Sequence, residues 1–162
     1  MSITRKQAEN IASVLSEGLP YIQKFKDKII VVKYGGAAMT EEPLKESFTR
    51  DIALMQLVGM KPVVVHGGGP QIGKELLKAG VKSEFIGGLR VTSKPAMNIV
   101  KKVLGTKINN EIVKLIKQFG GSAISFNHNK YQIIKASKKI AEEGLDLGHV
   151  GQVDKIFTGE LK

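Results

Sequence analysis

Two apolar runs, each ending in glycine, limit the folds open to this chain more than any other feature. The first, Lys28-Ile29-Ile30-Val31-Val32-Lys33-Tyr34, leads into Gly35-Gly36. The second, Lys61-Pro62-Val63-Val64-Val65-His66, leads into Gly67-Gly68-Gly69-Pro70. Continuous apolar strands of this kind belong to parallel sheets covered on both faces. Helical patterns separate them. Glu42 to Val58 carries Phe48, Ile52 and Met55 on one face, and Pro70, suited to a first helical turn, opens a helix that stops at Gly80.

The remaining pattern continues the alternation. Ala8, Ile11, Ala12, Leu15 and Leu19 follow the helical period from the start of the chain, with Gly18 and Pro20 predicting its end. Val81 to Thr92, with Gly87 and Gly88 inside it, reads as an extended hairpin or loop. Pro95 to Phe119 is a long helix with Val100, Leu104, Ile108, Ile112, Leu115 and Phe119 on one face. Strands are expected at Ser122 to Phe126 and Tyr131 to Ala136, joined by the turn Asn127-His128-Asn129, and Gln152 to Lys162 reads as the start of a further element. Strands alternating with helices predict an α/β fold, with a mainly parallel central sheet between helical layers.

Composition narrows the function. A length of 162 residues fits one domain, and 42% apolar residues can build a core. No apolar run is long enough to span a bilayer, and the first residues lack the apolar segment of a secretory signal. A cytoplasmic protein is expected. With no cysteine and three scattered histidines, neither disulfides nor a zinc site is expected, so no metal-ligand set is assigned. The net charge of +10 comes from dispersed lysines, aromatics make up only 6%, and no nucleic-acid signature accompanies them. Solvated helix faces account for the charge, and a basic surface also suits small anionic substrates. Neither nucleic acid nor membrane is an expected partner.

The chemistry belongs at the glycine turns. In open α/β sheets ligands bind beyond the carboxyl ends of the strands, and glycine N–H groups beside a helix N-terminus donate to phosphate or carboxylate. Neither the GxxxxGK[ST] loop nor a GxGxxG fingerprint is present. Lys33 ends an apolar strand, where a buried charge is costly unless paired. It either emerges into solvent or reaches a transferring phosphoryl group. Arg90, in Gly87-Gly88-Leu89-Arg90-Val91-Thr92, offers a planar fork suited to a carboxylate. His66 is read as a packing residue rather than a catalytic one, His128 as solvated, and His149 as packing or shaping a loop.

The runs VVKYGGAAM, VVVHGGGPQI, GLRVT, GTKINNEIV and DLGHVGQV, in this order between Lys28 and Val153, resemble the amino-terminal half of N-acetylglutamate kinases, within the amino acid kinase family. The resemblance implies an α/β/α sandwich and ATP-dependent phosphorylation of the γ-carboxylate of N-acetyl-L-glutamate, a step of arginine biosynthesis. It implies Lys33 as the catalytic lysine and Gly35 and Gly36 as the turn facing the transferring phosphate. Gly68, Gly69 and Arg90 become substrate contacts, with Val81 to Val91 as a lid. ATP with Mg2+ is the implied cofactor.

Residues 1–27 are expected to be a helical extension and 28–162 the substrate-binding part, with the ATP-binding part beyond this sequence and little activity in the chain alone. The opening helix resembles the extension of arginine-inhibited members, which implies a dimer or hexamer and L-arginine as feedback inhibitor. The family's glycine-rich turn is replaced by Phe126-Asn127-His128-Asn129-Lys130. A kinase of another small carboxylate or carbamate, or a non-catalytic regulatory fragment, are the alternatives.

Overall fold

The structure, a computed structural model, describes residues 3–126, 133–140 and 144–159. The elements run α1 (Arg5–Phe25), β1 (Ile29–Tyr34), a 3-10 turn (Gly36–Met39), α2 (Glu42–Leu57), β2 (Lys61–His66) and α3 (Gly69–Lys78). They continue with β3 (Phe85–Ile86), β4 (Leu89–Arg90), α4 (Lys94–Lys102), a π turn (Val103–Ile108), α5 (Asn109–Gln118), β5 (Ile134–Ile140) and β6 (Asp146–Ile156). The α/β class predicted above is observed. The chain divides into two compact units: one ends at His66 and takes in Leu115–Ser122, and the other comprises Gly67–Lys114 with the residues from Ala123.

In the first unit β1 and β2 pair in parallel, from Ile29 opposite Lys61 to Tyr34 opposite His66. Their helix-covered face is built around Tyr34, which is 3% exposed and stacks on Phe48 of α2 at 4.0 Å between ring centres. The Tyr34 hydroxyl donates to the Ala38 carbonyl at 2.7 Å, so the strand end and the following turn are tied together. Ile52 and Ala53 of α2 complete this core. Contrary to expectation, the strands are not covered on both faces: Val31 is 67% and Val65 53% exposed, and Ile29 is exposed beside them. Side chains alternate across a strand, so Lys33 lies on this open face, level with Val65. An apolar run states what a strand prefers; whether a second layer covers it depends on residues elsewhere.

Helix α1 also departs from expectation. It begins as its sequence allows, with a capping box in which the Thr4 hydroxyl accepts from the Gln7 N–H and the Gln7 side chain accepts from the Thr4 N–H. It does not stop at Gly18 and Pro20 but runs through both to Phe25. None of its residues is buried, and Ile11, Val14, Leu15 and Leu19 are exposed.

The second unit packs α3 against α4 and the π turn, with Leu76 fully buried and Ala96, Val103 and Ile108 nearly so. The long helix predicted over Pro95–Phe119 is present as α4, π turn and α5 in unbroken succession. Two antiparallel pairs accompany them, β3 with β4 and β5 with β6. The β3–β4 turn, Gly87-Gly88, takes positive φ at both residues, which suits a two-residue hairpin and is open to glycine at little cost. The strand expected at Ser122–Phe126 is absent: those residues are irregular, and Ile124 is 69% exposed. Of the strand expected at Tyr131–Ala136, only Ile134 onward lies in β5; residues 131 and 132 and the turn 127–130 fall outside the described residues. Gln152 to Ile156 closes β6 instead of opening a new element.

Candidate functional site

Because Tyr34 pairs with His66, β1 and β2 end level with one another, and each runs directly into glycine. Lys33 is exposed near the end of β1. Gly35 and Gly36 follow it with open space where a side chain would stand. This part of the first unit is a cation beside unobstructed backbone, which is what an anionic group requires for close approach.

The second unit carries the other candidates. Gly68 caps α3 and Gly69 is its first residue, with Pro70 in the first turn as predicted. The N-terminus of a helix presents N–H groups without intrahelical partners and the positive end of the dipole. The two glycines differ. Gly69 is exposed with open space around its Cα, whereas Gly68 is buried, and a Cβ there would lie 2.6 Å from Leu104 Cδ2 and 2.8 Å from Ile108 Cδ1. Gly68 is therefore also a packing residue, a role the sequence did not disclose.

Arg90 sits on β4, half-buried, with its guanidinium carbon 4.5 Å from the centre of the Phe85 ring on β3. One guanidinium nitrogen donates to the Ser83 hydroxyl. Both contacts lie within the same hairpin, so the arginine is held by its own element. A guanidinium has five N–H donors, and the Ser83 bond occupies only part of that set.

Sequence reasoning missed what anchors this hairpin. Thr92, just beyond β4, is 6% exposed, and its hydroxyl donates to the Arg90 carbonyl at 2.9 Å. Its N–H donates to the Leu147 carbonyl at 2.9 Å, and its own carbonyl accepts from the His149 N–H at 2.7 Å. Leu147 is fully buried. His149 thus contributes through its backbone to a bridge between β6 and the Arg90 segment. Asp146 shapes that bridge: its carboxylate accepts from Lys138 at 2.8 Å and from the Gly148 N–H at 2.7 Å. These bonds, the Lys138 ammonium foremost, hold its pKa below the ordinary aspartate value. The signal in the sequence was the run Asp146-Leu147-Gly148, in which a side-chain acceptor sits two residues before a glycine.

Among the described residues no three His, Cys, Asp or Glu side chains come together as a metal-ligand group, and no helix is long and apolar enough to cross a membrane.

Comparison with known proteins bears on these features. The chain is 55% identical, over 99% of its length, to an acetylglutamate kinase from Hydrogenovibrio crunogenus, of which it covers 57%. It is 57% identical, over 91% of its length, to an acetylglutamate kinase from Ruthia magnifica, of which it covers 51%. The chain thus spans about half the length of these curated relatives. Among solved structures, an N-acetylglutamate synthase from Neisseria gonorrhoeae complexed with coenzyme A and N-acetyl-glutamate superposes with a TM-score of 0.75 at 18% identity. That match covers 93% of this chain and 34% of the synthase, and the likeness is one of fold. A Streptococcus mutans protein matches at 32% identity with a TM-score of 0.69, over 80% of this chain and 51% of its own. The profile of the amino acid kinase family matches residues 28–162, which takes in β1, both glycine turns, the Arg90 hairpin and the β6 bridge; the chain belongs to that family.

Proposed function

We propose that this chain is the acceptor-binding part of an acetylglutamate kinase, which phosphorylates the γ-carboxylate of N-acetyl-L-glutamate with ATP in cytoplasmic arginine biosynthesis. The observation that carries it is the 55% identity to an enzyme of that name across 99% of the chain. On this reading residues 1–27 are a helical extension, and 28–162 hold the acceptor.

The roles follow from the chemistry. Arg90 takes the substrate carboxylate on its remaining donors, and Gly68 and Gly69 offer backbone N–H groups at the start of α3. No general base is required, because a carboxylate is already ionised at neutral pH. Phosphoryl transfer asks chiefly for alignment and for positive charge around the equatorial oxygens. Lys33, exposed and followed by unobstructed glycine, suits that second demand and fits the phosphate end of a nucleotide. ATP supplies the phosphoryl group. Mg2+ would accompany it, held largely by the nucleotide phosphates with one or two carboxylates.

A second proposal concerns assembly. An exposed apolar stripe on α1, made of Ile11, Val14, Leu15 and Leu19, favours pairing with another copy in a homo-oligomer. L-arginine is the regulator we propose for it; an N-acetylglutamate synthase of related fold was crystallised with that ligand. Light scattering after deletion of residues 1–20 tests assembly, and an oligomer that survives the deletion sinks it.

The acceptor assignment is tested by calorimetric titration of the chain with N-acetyl-L-glutamate, using L-glutamate as control. Selective binding of the acetylated ligand is expected. Equal affinity for both, or binding of neither by a cooperatively folded sample, counts against an acceptor site in this chain.

A further inference from the structure

Gly148 has a backbone φ of +71°, and a Cβ placed there would lie 2.3 Å from the Thr92 carbonyl oxygen and 2.9 Å from its carbon. No side chain fits, and the obstacle is backbone, which cannot rotate away. The contact is part of a relay. Lys138 fixes the Asp146 carboxylate, which accepts from the Gly148 N–H and so shapes the turn that brings Gly148 onto Thr92. The Leu147 carbonyl and the His149 N–H then grip Thr92 on either side. Thr92, buried, turns its hydroxyl onto the Arg90 carbonyl. Its backbone is thus fixed from β6, and the Arg90 guanidinium is fixed from within its hairpin by Phe85 and Ser83.

We propose that Gly148 and Thr92 are positioning residues for Arg90, and that the bridge from β6 sets the pose in which the arginine meets an acceptor carboxylate. The acceptor role rests on the function proposed above; the positioning of Arg90 does not. A carboxylate held by two parallel N–H bonds is sensitive to the angle of the fork, so a backbone anchor two residues away controls affinity without touching the ligand. Neither residue touches the reacting atoms.

The test uses the full chain labelled with 15N, in which the Arg90 guanidinium signal is identified by its loss in Arg90→Lys. Thr92→Val removes the hydroxyl at nearly constant volume, and Thr92→Ser restores it. Gly148→Ala forces Thr92 away, and Thr92→Val stands in for it if that variant fails to fold. Thr92→Val is expected to shift the Arg90 signal and weaken N-acetyl-L-glutamate binding about fivefold, the usual worth of one neutral hydrogen bond. Thr92→Ser is expected to reverse both changes. An Arg90 signal unmoved in Thr92→Val overturns the positioning role, whatever happens to binding. Absent binding by the parent chain, with the Arg90 signal still moving, sinks the acceptor assignment and leaves the relay standing.

Discussion

Gly68 lies so close to Leu104 that an added methyl would stand 2.6 Å from Leu104 Cδ2, with Ile108 Cδ1 at 2.8 Å on the same side. The start of α3 and the π turn are therefore in contact through an absence of side chain. Gly68→Ala is expected to lower stability by about 1–3 kcal/mol through overpacking, because Ile108 is buried and has little room to yield. Gly69→Ala meets nothing within 4 Å and is expected to leave the urea midpoint unchanged or raised, while weakening N-acetyl-L-glutamate binding. Equal losses of stability in the two variants would contradict this division.

Lys33 lies on the open face of β1, level with Val65, so its removal should cost little in folding. In a full-length kinase that contains this chain, Lys33→Ala is expected to lower kcat by about 10²-fold, or roughly 3 kcal/mol of transition-state stabilisation, with KM for the acceptor nearly constant. A matching rise in KM would move Lys33 from catalysis to substrate binding.

What the sequence disclosed and what it withheld follow one physical division. The β1 and β2 strands, the hairpin at Gly87-Gly88 and the helix starting at Pro70 are set by local chemistry, and each was readable. The exposure of Val31 and Val65 was not, because a strand cannot announce whether a second layer covers it. Gly18 and Pro20 misled for a related reason. Both disfavour a helix interior without forbidding it, and α1 continues past them to Phe25. At the site, residue types pointed to Lys33, Arg90 and the glycines. The anchoring of Arg90 through Thr92 and Gly148 joins positions 56 residues apart (148 − 92), and no local pattern encodes that pairing.

Glu75 offers a pH test. It accepts from Lys78 at 3.2 Å and from Lys107 at 3.3 Å, linking α3 to the π turn. These bonds, Lys78 first, hold its pKa below the ordinary value. A carboxyl with a depressed folded pKa contributes stability above its unfolded pKa and loses it as pH falls through the folded one. Glu75→Gln should therefore be less stable than the parent near neutrality, and the gap should close as pH falls below about 4.5. Urea midpoints across that range decide it. A gap that persists in acid would assign the effect to packing.

Pro20 interrupts the hydrogen-bond ladder of α1 in a helix with no buried residue. An interior proline costs about 3 kcal/mol of helix stability. Pro20→Ala is expected to strengthen the helical circular dichroism signal and to slow amide exchange in the turns on either side. Unchanged exchange would mean that contacts, not propensity, hold α1 together.

The π turn has a consequence for chain length. Val103 and Ile108 are both buried though five residues apart, and Ile112 follows four later. In an ordinary helix five residues overshoot one full turn by about 140°, whereas four overshoot by only about 40°. The wider turn absorbs the extra residue and restores the phase. Between Val103 and Ile108 the helix carries one residue more than its buried face uses, and a single-residue deletion there would leave Val103, Ile108 and Ile112 on a common side. Length, usually the least forgiving property of a helix, is here a variable the fold can absorb.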